Sequence, residues 1–253
     1  MKIAINQPYF FPYLGYFQLI ASVDVFVAYG NVDYVHKSWI SRNRMQGRSS
    51  APYYISLPTD KASRRKTLAE VRFTEDARGA AAQLYRRLKT DYGRAPHAPA
   101  MLRWLKDLLK RAPYTSLQSF NVFALREVCQ LLGIDTRIIN DDCHLPELES
   151  SLRTRYEDNP SRRRRERILA ITRREGARVY RNLPGGQALY DSDKFSMAGV
   201  ELEFIAPPAL EYPQFDGAFS PYLSILDVLM HCGVKETSRL VSSYRLLVPE
   251  LQY

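Results

Sequence analysis

The sequence predicts an α/β protein with a Rossmann-like, mostly parallel sheet that carries a helical insertion. Three observations predict it. Two short apolar runs, Lys2–Asn6 and Val23–Tyr29, flank a helix-length segment and give a β-α-β start. A block with helical periodicity then fills the chain from about residue 77 to 133. Beyond it, strand-like and helix-like segments alternate again, as they do along a parallel sheet.

The first strand, Lys2-Ile3-Ala4-Ile5-Asn6, runs into Gln7-Pro8-Tyr9-Phe10-Phe11-Pro12-Tyr13-Leu14-Gly15-Tyr16. Each proline fixes its own φ and turns the preceding residue away from helix, so the chain must bend before Gly15 lets a helix run to about Ser22. Tyr53–Leu57 is a strand candidate, and the alternation of Leu68–Phe73 predicts another. Ala80, Leu84 and Leu88, then Met101, Leu102, Leu105 and Leu109, then Phe120, Phe123, Ala124 and Val128 mark two or three helices separated at Pro96, Pro99 and Pro113. Thr136–Asn140 restarts a strand after Gly133. Asn159-Pro160 reads as a helix cap and first-turn proline, Ile168 and Ile171 as that helix's apolar stripe, and Gly176 as its end. Arg178–Tyr180 and Glu201–Ile205 are strands, and Tyr222–Cys232 is the last strongly apolar helix.

The 253 residues suffice for one domain with an insertion, which is the expected organisation over residues 1–253. No leader-like segment or apolar run of transmembrane length occurs, so a soluble cytoplasmic protein without a membrane span is expected. The cysteines Cys129, Cys143 and Cys232 form no C-x-x-C pair, and neither a disulfide framework nor a metal site is expected. Thirty-six basic against 27 acidic residues give a formal charge of +9. Eleven arginines between Ser151 and Arg181 supply most of it. A basic surface attracts phosphate groups. Yet Arg162-Arg163-Arg164-Arg165 on one helix must point in different directions, which fits a solvated face better than a nucleic-acid groove.

Five aromatics between Tyr9 and Tyr16 cannot all be core. Phe10, Phe11 and Phe17 are expected inside, whereas Gln7, Tyr9, Tyr13, Gly15 and Tyr16 would offer backbone N–H groups and ring faces at the carboxyl end of a strand. Lys37, Trp39, Arg42 and Asn43 combine a cation, a flat ring, a planar fork and an amide, a set that suits a phosphate beside a ring. Gly185 and Gly186 form a turn or a phosphate cradle. Ser224 and Asp227 have capping-box spacing, with a polar cluster near the pocket as the alternative.

Those segments, together with Tyr92–Pro96, Tyr190, Phe195 and Phe219–Met230, make the chain resemble the WbqC-like family of bacterial proteins along nearly its whole length. The resemblance implies a single WbqC-like α/β domain and a place in O-antigen or other surface-polysaccharide biosynthesis, with a glycyl or acyl transferase role. The family usually has acidic residues after its second strand, where this chain has Gly30 and Asn31. Tyr13-Leu14-Gly15-Tyr16 also resembles the H-x-G-H element of nucleotidyltransferases with both histidines replaced by tyrosines, which donate hydrogen bonds but carry no positive charge at neutral pH.

Two functions therefore stand. The first is acyl or glycyl transfer to a nucleotide-linked amino sugar, with Asp33 or His36 as proton acceptor and an aminoacyl-tRNA or acyl carrier as donor. The second is non-catalytic binding of a nucleotide or carrier at a degenerate nucleotidyltransferase-like site. No cofactor is indicated.

Overall fold

In a computed structural model, residues 1–48, 51–60, 66–141, 146–206, 211–215 and 218–247 are described. The Cys143-His144 neighbours lie outside them. The central sheet contains β1 (Lys2–Asn6), β2 (Val25–Ala28), β5 (Arg137–Asn140), β6 (Val179–Asn182), β7 (Glu201–Ala206) and β8 (Arg245–Leu247). Their spatial order is β5-β2-β1-β6-β7-β8, with every pairing parallel except β7 with β8. Numbered among themselves in chain order, these strands run 3-2-1-4-5-6, the Rossmann order.

Central parallel strands are covered on both faces and need apolar residues throughout. In β1, Ile3, Ala4 and Ile5 are all buried, as are Val25, Phe26 and Val27 in β2. Side chains alternate between faces. Ala4, Phe26 and Ile205 join a core with α1 (Leu14–Ala21), α3 (Ala98–Arg111), α4 (Leu117–Leu132) and α8 (Ile225–Ser242). Ile3, Ile5, Val25, Val27 and Leu202 join the other, with α6 (Pro160–Arg174) and α7 (Ser192–Ser196).

The helices between β4 (Tyr53–Ser56) and β5 start at α2 (Ala77–Tyr92) and continue through α3 and α4. Gly133 ends α4 at φ 68°, a conformation that favours glycine. Asn159 caps α6, its Oδ1 accepting from Arg162 N at 2.9 Å, with Pro160 in the first turn. Arg167 of α6 does not face solvent with Arg162 and Arg164; it holds Glu149 of α5 (Pro146–Arg155), which also accepts from Tyr29 at the end of β2. No helix among the described residues is long and apolar enough to cross a membrane.

One local expectation changes. Leu68–Phe73 is not a strand: Leu68–Glu70 is a 3-10 turn, closed by the Glu70 carboxylate accepting from Thr67 N and Oγ1 at 2.8 Å each. Its buried residues, Leu68 and Val71, stand three apart, the period of that turn rather than of a strand. Tyr53–Ser56, β4, pairs antiparallel with β3 (Arg42–Met45) in a separate hairpin, outside the central sheet. α5, α7 and β8 had no counterpart in the sequence reading.

Candidate functional site

A switch in strand order opens a crevice at the carboxyl ends of the strands it separates. Here the chain leaves β1 for β2 and β5 on one side, then returns to β6 and β7 on the other. A cleft of about 1140 Å³ lies there. Asn6 of β1, Asn182 of β6 and Ala206 of β7 are the strand ends on its wall, and Leu14, Gly15 and Gln18 bring the amino end of α1 to it. No side chain caps that helix, whose first turn carries no acid.

The proline-bracketed turn enters from one side and is held by groups distant in sequence. Prolines leave acceptors without donors, and buried carbonyls must find partners elsewhere. Asn121 Nδ2 donates to Pro8 O and Ile40 O at 2.8 Å each, and Asn43 Nδ2 donates to Phe10 O and Phe11 O at 3.1 and 2.8 Å. Ser224 Oγ donates to Phe11 O at 2.8 Å, Ile225 N to Pro12 O at 2.8 Å, and Tyr16 Oη to Gln7 O at 2.6 Å. This lattice holds Phe11 at φ 40°, a conformation bulky residues rarely adopt. Strain of that kind persists only where the surroundings over-determine the backbone.

Tyr9 and Tyr13 reach the cleft, while Tyr16 is fully buried behind Tyr9, the ring centres 5.2 Å apart. Phe10, Phe11 and Phe17 are core, as expected. Trp39, Gly185 and Gly186 are on the wall. The remaining candidates lie elsewhere. Gln7 contributes its carbonyl to Tyr16, and Asn43 is a buried strut of the turn. Arg42 stacks outside the cleft, its guanidinium carbon 4.0 Å from the Tyr54 ring centre, and Lys37 is exposed at φ 57°. Asp33 is exposed and pairs with Arg153 at 3.1 Å, and His36 is exposed beside Tyr34. Neither Asp33 nor His36 is on the cleft wall.

Ser224 caps α8 through Leu226 N at 3.3 Å, but Asp227 does not complete the box: Ser224 N donates to Arg44 O instead. The Asp227 carboxylate, only 1% exposed, accepts from Tyr92 Oη and, at 2.8 Å, from Tyr212 Oη. Burial raises its pKa, the two phenols and nearby His231 opposing the shift. Tyr212 is on the cleft wall, so Asp227 supports the site from behind.

The position after β2 is closed. A Cβ at Gly30 would lie 1.5 Å from Gln118 Oε1, and Gln118 Nε2 donates to Asn140 Oδ1 at 2.7 Å. Asn31 Nδ2 donates to Asp141 O at 2.7 Å. An amide pair thus fills the space into which a side chain at residue 30 would project.

Sequence reasoning missed Asn6, Gln18, Asn182, Tyr190, Tyr212 and Tyr222, all on the wall. Asn6 and Asn182 end strands that the sequence does identify, but only the strand order makes those ends neighbours. Tyr222 sits at φ 58° and is 68% exposed, its ring edge-on to Tyr13 at 5.7 Å. Burial, with smaller contributions from Tyr9 and Tyr222, pushes the Tyr13 phenol up to about 12, so at neutral pH it is an uncharged donor. Among the described residues of the wall, Glu211 alone carries a charge. Arg44, just outside the wall, donates to Pro221 O at 3.2 Å and lies 5.6 Å from the Trp39 ring centre. Rings, phenols and amides around a deep groove can stack on and hydrogen-bond a sugar or a base.

A protein of Mycobacterium tuberculosis described as uncharacterized is 28% identical over 241 residues, covering 92% of this chain and 95% of that one. No solved structure matches the chain. The WbqC-like protein family matches residues 7–239, which include the proline turn, both strands of the hairpin and most of α8. The chain belongs to the WbqC-like protein family.

Proposed function

We propose that the protein is a transferase of surface-polysaccharide biosynthesis that moves a glycyl or other acyl group onto the nitrogen of a nucleotide-linked amino sugar. The observation that carries this reading is the cleft at the β1–β6 switch point, walled by tyrosines, Trp39 and amides and large enough for a two-part ligand. Its aromatic faces suit a sugar or base, and the uncapped start of α1 suits the diphosphate between them. The pathway rests on what the family implies.

In the reaction, the sugar nitrogen attacks the acyl carbonyl of an ester or thioester donor, such as an aminoacyl-tRNA or acyl carrier. A C–N bond forms, the C–O or C–S bond breaks, the nitrogen gives up a proton, and the departing oxygen or sulfur gains one. Positioning supplies much of the rate in such a step. Glu211, the acidic residue among the described residues of the wall, is the group suited to take the proton; Asp33 and His36 are not there.

The competing reading is a binding protein that presents the nucleotide-linked sugar to a partner enzyme. Glu211 is the single acidic or basic residue among the described residues of the wall, which favours it. Thermal-shift titration with UDP-sugars, followed by mass spectrometry after adding acyl donors, separates the two. A stabilised protein and an acylated sugar support the transferase; stabilisation without product supports the binder; no stabilisation by any nucleotide or nucleotide-sugar refutes both.

A further inference from the structure

The β3–β4 hairpin stands outside the central sheet and has two unlike faces. Directly opposed and alternate residues share a face, so the register places Arg42, Arg44, Tyr54 and Ser56 on one side and Asn43, Met45, Tyr53 and Ile55 on the other. The second side is anchored: Asn43, Met45 and Ile55 are buried, and Tyr53 Oη donates to Asp91 of α2. The first side keeps its rings open. Tyr54 is 50% exposed, and Trp39, 43% exposed, lies beside it with ring centres 6.4 Å apart. The guanidinium of Arg42 lies over Tyr54 and that of Arg44 over Trp39, 4.0 and 5.6 Å from the ring centres.

The charge of this strip is one-sided. Between residues 34 and 59 the chain carries Lys37, Arg42, Arg44 and Arg48 and no Asp or Glu. Among the described residues Arg42 makes no hydrogen bond or ion pair, and Arg44 gives one N–H to Pro221 O. Stacking covers the face of a guanidinium and leaves its in-plane N–H groups free to take a phosphate. Carboxylates of a carrier protein would satisfy the arginines alone; bases joined by phosphates satisfy rings and arginines together. The strip also runs into the cleft. Trp39 belongs to both, its carbonyl accepting from Phe10 N at 3.0 Å, and Pro221, which Arg44 holds, is on the cleft wall.

We infer that the outward face of the hairpin is the docking surface for the acyl donor and that this donor is an RNA: the single-stranded 3′ end of an aminoacyl-tRNA lays its bases on Trp39 and Tyr54 and its phosphates on Arg42 and Arg44, which brings the terminal ester to the cleft. This rests on the proposed transferase and decides between its two classes of donor.

The test is fluorescence anisotropy of wild type, Tyr54→Ala, Tyr54→Phe and Arg42→Ala with a labelled RNA stem-loop that ends in a single-stranded CCA and with the same stem-loop cut blunt, beside calorimetric titration of each protein with UDP-amino sugars. Wild type should bind the CCA-ended RNA about tenfold or more tighter than the blunt one. Tyr54→Ala should bring that ratio to about threefold or less, and Tyr54→Phe, which keeps the ring, should preserve it. Arg42→Ala should reduce the slope of log K against log salt by about 0.7, the value for one phosphate of a single strand. All three variants should bind UDP-amino sugars as wild type does, since Tyr54 and Arg42 are off the cleft wall. Should Tyr54→Ala fail to fold, the Arg42→Ala salt slope decides. Equal binding of the two RNAs, a preference unchanged in Tyr54→Ala, or an unchanged salt slope would overturn the inference, as would an acidic acyl carrier protein that binds in place of RNA and is lost in Arg42→Ala. If UDP-amino sugars bind and the RNA end does not, the docking surface fails alone; if the RNA end binds and no nucleotide-sugar does, the docking surface stands and the acceptor site fails.

Discussion

Replacing Tyr92 by Phe removes one oxygen atom that joins three parts of the molecule behind the cleft. Tyr92 Oη accepts from Gln46 N at 3.0 Å and Gly47 N at 2.7 Å, just past β3, and donates to Asp227 of α8. The variant leaves the ring and its contacts with Phe215 and His231, so little packing is lost. Two backbone donors lose their acceptor, Gly47 N buried and Gln46 N partly so, and a buried carboxyl keeps only Tyr212. At about 1–3 kcal/mol for each buried group left unmet, less for the part-exposed Gln46 N, the cost is about 3–5 kcal/mol. For a chain of this size that is roughly 6–20 °C in Tm. Urea unfolding followed by far-UV circular dichroism should show a lower midpoint with an unchanged m-value. The sign with pH also follows. Asp227 has a raised folded pKa, and losing the Tyr92 donor raises it further, so its stability contribution is present at acid pH and is lost as pH rises through that value. The penalty of Tyr92→Phe should therefore be larger at neutral pH than in the ordinary carboxylate range. A loss under about 1 kcal/mol, or one independent of pH, would refute the reasoning.

Gly233→Ala should cost roughly 2–4 kcal/mol, because residue 233 kinks α8 at φ 70° and ψ −179° and an added Cβ would meet the His97 ring at 2.6–2.8 Å; thermal unfolding within about 1 °C of wild type would contradict this. Glu149→Gln should destabilise by roughly 2–4 kcal/mol at neutral pH, since it leaves the part-buried Arg167 without its carboxylate. Burial raises the Glu149 pKa, but bonds from Arg167 and Tyr29 outweigh it and leave it lowered. That contribution is present above the ordinary carboxylate value and disappears as pH falls through the depressed one, so the wild-type and variant stability curves should converge in acid; parallel curves would count against the pairing.

How much of this was legible in the sequence depends on the range of the interactions involved. α2, α3 and α4 announce themselves because each buries a wide stripe at helical spacing, as Leu84 with Leu88 and Leu105 with Leu109 do. α5 has only Leu148 and Leu152 as its stripe amid charges, and β8 is a short edge strand with little to bury, so neither stands out. Leu68–Phe73 alternates like a strand, yet the Thr67–Glu70 capping pair closes a turn there. In the site, the proline turn was legible because its constraint is local. Its supports, Asn43, Asn121 and Ser224, were not, since polar residues that satisfy distant carbonyls resemble ligand-binding residues in sequence. Lys37 and Arg42 follow the same logic: residue type suits phosphate, but the hairpin turns Arg42 onto Tyr54, and Lys37 stands exposed, off the cleft wall. Gln18 and Asn182 became visible only once the strand order brought the ends of β1 and β6 together.

The central claim is that the cleft over the β1–β6 switch point is the ligand site, and Gly185→Trp tests it most directly. Gly185 is on the cleft wall, a Cβ there meets nothing within 4 Å, and its backbone is not in the left-handed region, so the position accepts an indole at the cleft without straining the fold. Titration of UDP-amino sugars into wild type and Gly185→Trp, beside a melting curve of each, is the measurement. Binding abolished in a variant that melts within about 2 °C of wild type is the predicted result; binding of undiminished affinity to a folded Gly185→Trp protein would contradict it.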